Sequence, residues 1–170
     1  MEHRRKNLRA DLYDYRQDGR YFVTVVTNHR AQWLSSIVSG IPVLTPAGSI
    51  VENYWTEMGN KYRQVEIEDF VIMPNHLHGI IRIHPKDELN FHEESLGDMI
   101  KWFKSLTTNA YIRGVKVNGW PRFEGKFWQS GYYDHIIRND ADLLRVQEYI
   151  ASNPAMWDQD PDNRSSEEAW

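Results

Sequence analysis

The sequence predicts an α+β domain of ferredoxin-like β-α-β-β-α-β order, with one more helix at its C-terminal end. Three observations carry this expectation. Four stretches are rich in β-branched and aromatic residues, two segments of helical periodicity separate them, and a capped third helical segment follows the last strand.

Tyr21 to Thr27 (YFVTVVT) is almost wholly β-branched or aromatic and reads as the first strand. Thr45-Pro46 reads as an N-cap with proline at the first helical position. Behind it Ile50, Val51, Tyr54, Trp55 and Met58 recur at helical spacing. Val65 to Met73 is a second strand, Pro74-Asn75 a turn, and His76 to Ile83 a third strand, its hairpin partner. Residues 85–90 read as a loop. Ser95 can cap the next helix, in which Leu96, Met99, Ile100, Phe103, Thr107 and Ala110 share one face. Gly114 to Gly125 reads as loop, and Phe127 to Ile137 as a fourth, aromatic-rich strand. Asn139 caps the last helix, with Asp142 in its first turn, where a carboxylate suits the helix dipole. Pro154 ends that helix by pushing Asn153 out of helical conformation.

Composition narrows the function classes. A chain of 170 residues with 41% hydrophobic content fits one domain with a real core and is not a disordered polymer. Residues 1–157 are expected to form it. No apolar run nears the roughly 20 residues that span a bilayer, so no membrane partner is expected. The charged start (MEHRRK) is not a signal peptide, and with no cysteine there is neither a disulfide framework nor a thiolate metal site. A cytoplasmic location is therefore expected. The net charge of −4 is unfavourable for binding phosphates, but it is unevenly spread. Residues 1–30 hold seven Lys/Arg against four Asp/Glu, while residues 158–170 hold five acidic residues against Arg164. The tail from 158 onward thus reads as acidic, solvated and flexible.

The chemistry concentrates in Met73-Pro74-Asn75-His76-Leu77-His78-Gly79. A strand has a side-chain period of two, so His76 and His78 point from the same face. Two imidazoles side by side on a stiff element make half of a metal site. In the last helix Leu143, Val146 and Ile150 form an apolar stripe, while Arg145, Tyr149 and Asn153 line a different face at intervals of four. Asn153 can offer an amide oxygen to a cation, and Tyr149 a nucleophilic hydroxyl. Read alone, the plainer account makes Tyr149 a boundary aromatic and Asn153 a helix C-cap. Tyr132 and Tyr133 are rival nucleophiles, but packing within a strand explains them and neither has an Asn one turn away. A two-histidine phosphodiesterase would need a second His-x-Ser/Thr, which no other histidine begins.

Four segments together, MPNHLH at 73–78, Phe127-Trp128-Gln129, HIIRN at 135–139 and EYIASNP at 148–154, resemble the single-tyrosine transposases, in particular the REP-associated tyrosine transposases. These belong to the wider His-hydrophobic-His endonucleases. The resemblance spans about Tyr21 to Asn153. It implies a ferredoxin-like fold that cleaves and rejoins single-stranded DNA at hairpin elements through a 5′-phosphotyrosine. It further implies Tyr149 as nucleophile, and His76, His78 and Asn153 as ligands of a divalent cation, Mg or Mn. The partner would be single-stranded or hairpin DNA, handled by a homodimer or a monomer. DNA contacts are expected from Arg4, Arg5, Lys6, Arg9, Lys101, Lys104, Arg122 and Arg145, with aromatic rings interleaved among the cations near Trp120, Phe123 and Trp128. The rival function is a non-catalytic nucleic-acid-binding module derived from a transposase.

Overall fold

The computed structural model describes residues 18–85 and 94–163. In chain order the elements are β1 (Gly19–Val26), a 3₁₀ turn (Asn28–Arg30), β2 (Ser35–Val38), β3 (Ile41–Leu44), α1 (Pro46–Lys61), β4 (Val65–Ile72), β5 (His76–Ile83), α2 (Leu96–Asn118), β6 (Tyr133–Ile137) and α3 (Asp140–Ser152). Two 3₁₀ turns, Pro154–Gln159 and Pro161–Asn163, follow. The main sheet has the order β4-β5-β1-β6 with every neighbouring pair antiparallel, the ferredoxin-like arrangement expected from the element order.

The central pair, β1 and β5, runs in register from Gly19↔Ile83 to Val26↔His76. Alternation along β1 sorts its side chains to two faces. Tyr21, Val23 and Val25 join Leu77, Ile81 and Ile83 under α1 and α2, with Val51, Trp55, Met58, Met99, Ile100 and Phe103 above them. Phe22 lies on the other face, with Ile80 of β5, and α3 covers that face with Val146 and Ile150. The helix termini follow the local sequence. Thr45 accepts from the Gly48 amide, Ser95 and Asp98 form a capping box, and Asn139 accepts from the Asp142 amide.

Gly79 belongs to the crowded face, directly opposite Val23. A Cβ there would stand 2.5 Å from Cζ2 of the fully buried Trp55 and 3.1 Å from Cβ of Phe70. Gly79→Ala is therefore expected to cost on the order of 1–3 kcal/mol through overpacking, read as a lower urea midpoint with an unchanged slope.

Three expectations are corrected, and one element is added. Residues 35–44 form a hairpin that periodicity did not reveal; Ser39 and Gly40 turn it with φ of 52° and 74°, the left-handed pair that a two-residue turn requires. The second long helix does not stop at Gly114 but at Gly119, whose φ is 67°. Gly114 is there because the Trp120 indole fills the space of its missing Cβ. The last strand begins at Tyr133, not Phe127. Trp128 makes only an isolated bridge to Thr27, and Phe127 and Trp128 are aromatic because they are core. Asn153 keeps helical dihedrals (φ −56°, ψ −42°) in spite of Pro154, and the chain tightens into a 3₁₀ turn instead of leaving. The loop expected over 85–90 falls almost wholly outside the described residues.

Candidate active site

His76 and His78 leave β5 on the α3 side, with ring centroids 4.4 Å apart. His76 is fully buried and His78 nearly so. The packing of Val146 and Ile150 on Ile80 lays α3 across this face. Tyr149, the next residue round the helix from Ile150, then brings its hydroxyl to 3.5 Å from Nε2 of His78. Its ring meets His78 at 5.2 Å and Phe22 edge-on at 6.0 Å. Asn153, one turn further, is buried. It does act as the helix C-cap, its amide N–H donating to the Tyr149 carbonyl, while its side chain turns into the site.

The hydrogen bonds decide which atoms stay available. Asn75 donates its side-chain NH2 to the carbonyls of Arg30 and Asp162, at 3.3 and 2.6 Å. Its Oδ1 must then face His76 Nδ1, 2.7 Å away, and accept from it. That puts the His76 proton on Nδ1 and leaves Nε2 bare, buried and without a hydrogen-bond partner. His78 repeats the pattern: Nδ1 lies 2.7 Å from Oγ1 of Thr24, leaving Nε2 toward Tyr149. Asn153 donates Nδ2 to Oδ2 of Asp160 at 3.2 Å, and its Oδ1 is buried and unpartnered. In His76 and Asn153 the outer atom is tied and the inner atom has no partner, while Nε2 of His78 faces the Tyr149 hydroxyl. Buried polar atoms without partners are costly, and a set such as this could hold a cation. Two imidazole nitrogens and one amide oxygen are compatible with Mn or Mg, the ions that the resemblance implies. Among the described residues no three His, Asp or Glu side chains gather closely enough to hold a metal, so a cation held here would need the amide as its third donor.

Burial pushes the His76 imidazole down to about 4, against the opposing pull of the Asp160 carboxylate and the Asn153 amide. It is therefore neutral at neutral pH, the form that binds a metal. The unfolded chain takes up this proton near pH 6.5 and the native chain only near pH 4. Stability of the metal-free protein should thus be complete above pH 6.5 and fall as pH drops from there toward 4. Urea unfolding in EDTA at pH 7 and pH 5 measures it, and His76→Gln should flatten the difference. Burial, then the Asp160 charge, raises the Tyr149 phenol above its usual range.

The other expected contacts separate. Lys104 is not free for DNA: its ammonium donates to the carbonyls of Gln129 and Gly131, and burial, then the Lys126 charge, pushes it down to about 8. It fixes the chain entering β6. Arg145 pairs with Asp142, which also holds His135 of β6, yet stays largely exposed. Lys101 is exposed on α2, and Arg122 is exposed beside a cleft lined by Trp33, Phe123 and Lys126. Arg4, Arg5, Lys6 and Arg9 lie outside the described residues. Tyr133 stands opposite Thr24, one strand further from His78 than Tyr149's contact, and Tyr132 packs against the core. The expected solvated tail is folded at its start: Asp160, Asp162 and Asn163 are hydrogen-bonded to site and loop residues. Sequence reading missed Thr24, Phe22, Asp160 and Asp162 as parts of the site, and took Asn75 for a turn residue alone.

Residues 16–153 match the family of IS200-like transposases. This chain belongs to that family. It is 34% identical over 166 residues to an uncharacterized protein of Haemophilus influenzae, covering 93% of this chain and 92% of the other. It is 25% identical over 150 residues to a second protein of that organism, described provisionally as a REP-associated tyrosine transposase, covering 83% of this chain and 73% of the other. Among solved structures, a REP-associated tyrosine transposase bound to a REP hairpin matches with a TM-score of 0.60 at 22% identity, over 91% of this chain and 73% of that one. A provisionally named transposase from Deinococcus radiodurans matches with a TM-score of 0.51 at 16% identity, over 86% and 95%. These likenesses bear out the ferredoxin-like fold and the resemblance to REP-associated transposases. No described helix is long and apolar enough to cross a membrane.

Proposed function

We propose that this IS200-like transposase cleaves and rejoins single-stranded DNA beside hairpin elements, with Tyr149 as nucleophile and His76, His78 and Asn153 as ligands of Mn or Mg. The observation that carries this reading is a tyrosine hydroxyl brought to a cluster of buried donor atoms. The hydroxyl lies 3.5 Å from Nε2 of His78, and His76 Nε2 and Asn153 Oδ1 are without partners. When bound, a divalent ion supplies charge stabilisation and alignment to the scissile phosphate.

The chain's own residues do the rest. Tyr149 attacks the phosphorus through its phenolic oxygen, the bond from phosphorus to the 3′ oxygen breaks, and a free 3′-hydroxyl leaves. The phenolic proton passes to water and the leaving 3′ oxygen takes one up from water, both open to solvent because Tyr149 is 41% exposed. The 5′-phosphotyrosine conserves the bond energy for rejoining. Phe22 and His78 hold the tyrosine ring on two sides, which restricts its approach to one direction. Burial, then the Asp160 charge, makes the phenol harder to ionise, so its attack calls on help from substrate and cation. Lys101, Arg122 and Arg145 remain exposed for backbone phosphates.

The test is incubation with labelled hairpin-bearing single strands from the flanking genome, with Mn. The expected result is a denaturant-resistant protein–DNA adduct on the single strand and none on the matching duplex. Binding should also favour the single strand and weaken with salt. Equal binding to duplex and no adduct on either would leave only a binding module.

A further inference from the structure

The C-terminal turns reach the site at two places. Asp160 accepts from Nδ2 of Asn153 through Oδ2, and from the Asp162 amide through Oδ1 at 2.8 Å. The Asp162 carbonyl accepts from Asn75, which sets the proton of His76. Asp162 is itself anchored by an ion pair with Arg30. Arg30 and His29 carry left-handed dihedrals, φ 53° and 55°, an expensive backbone for residues other than glycine. The strain has a use: it turns the Arg30 carbonyl to the same Asn75 amide. Trp157 is buried within 6.1 Å of the His76 ring and pins the intervening segment.

We propose that Asp160 is the positioning residue of the third ligand: it grips the Asn153 side-chain nitrogen so that the amide oxygen, and not the NH2, faces the cation. The proposal rests on the metal-site reading above and extends it to residues beyond the 16–153 family match. An amide offers two faces of opposite character. Turned the other way, Asn153 would aim two N–H donors at the imidazoles and repel a cation. Thr24 and Asn75 orient the two histidines, and Asp160 does for the amide what they do for the rings. Asp160 is not itself a ligand, because with His76 and His78 it makes no group able to hold a metal. Its carboxylate oxygens are occupied by Asn153 and by the Asp162 amide.

The experiment measures Mn²⁺ binding to the DNA-free full chain by calorimetry, for wild type, His76→Ala, Asn153→Ala, Asp160→Ala, Asp160→Asn and the Asp160→Ala/Asn153→Ala pair. Asp160→Ala should weaken Mn²⁺ binding by about 10- to 100-fold, the usual cost of losing an outer partner. Asp160→Asn keeps one oxygen that can accept from Asn153, at the expense of the Asp162 amide, and should recover part of that affinity. The double variant should bind no more weakly than Asn153→Ala alone, since without the amide there is nothing left to orient. A merely structural role would not give this non-additivity. Wild-type affinity in both Asp160 variants, or additive losses in the double variant, would overturn the proposal while leaving the metal site standing. Absence of His76-dependent Mn²⁺ binding in the wild type would overturn both.

Discussion

Tyr149→Phe should abolish the covalent DNA adduct, a loss on the order of 10⁴-fold or more in rate, as removal of a nucleophile commonly gives. The ring is retained, so its edge-on contact with Phe22 at 6.0 Å and its packing on His78 survive. The hydroxyl's contact with His78 is a long one, 3.5 Å, and a hydrogen bond at that distance contributes little. The change in folding free energy should therefore stay within about 1 kcal/mol. Single-strand affinity should be nearly unchanged, because the exposed cations are untouched. A denaturing gel with 5′- and 3′-labelled strands reads the adduct, and a thermal melt checks the fold. An adduct that persists in Tyr149→Phe would transfer the role to Tyr133, which shares the sheet face with His78 across Thr24. The retained binding also separates the enzyme from the binding-module reading: a pure binder shows no adduct even in the wild type.

Why these residues were legible from sequence, and others not, has a physical answer. His76 and His78 declared themselves because a strand's period is two and both positions break an otherwise apolar run. Tyr149 and Asn153 declared themselves because one helical turn aligns them beside, not on, the apolar stripe of Val146 and Ile150. Local periodicity also placed both long helices and three of the four main strands. What periodicity cannot see is who supplies a partner across the chain. Thr24 looked like any β-branched strand residue, and only the β1–β5 register puts it on His78. Asp160 sat in an acidic stretch whose composition resembles a solvated tail. Its place beside the site follows from buried Trp157, an aromatic anchor three residues earlier that composition averages away. Lys104 shows the converse error: a cation on a helix reads as a phosphate contact, but two backbone carbonyls from a distant segment had claimed it. The hairpin over 35–44 was missed for a different reason, its exposed strands being too short and too mixed to show an alternation.

His76→Ala should also stop cleavage, by another route and with a second cost. Nε2 is lost as a ligand, so Mn²⁺ affinity should fall beyond the ten- to hundredfold that an outer partner costs. Nδ1 is lost as well, and that strands Oδ1 of Asn75. The Asn75 amide cannot turn to find another donor, because its NH2 is held by the Arg30 and Asp162 carbonyls. A buried carbonyl left unpaired costs about 1–3 kcal/mol, and the vacated ring volume adds to it. His76→Ala should thus lose stability where Tyr149→Phe does not. The two variants part again under added metal. Tyr149 and its hydroxyl are intact in His76→Ala, and His78 and Asn153 still offer two donors. Raising Mn²⁺ should therefore restore part of the adduct in His76→Ala, but none in Tyr149→Phe, which lacks the atom that bonds to phosphorus. Adduct formation across a Mn²⁺ titration, run for both variants below their melting temperatures, reads the difference. A His76→Ala protein that cleaves like the wild type at every Mn²⁺ concentration would mean that the imidazole pair does not hold the ion, and that the bare nitrogen of His76 is explained by the fold alone.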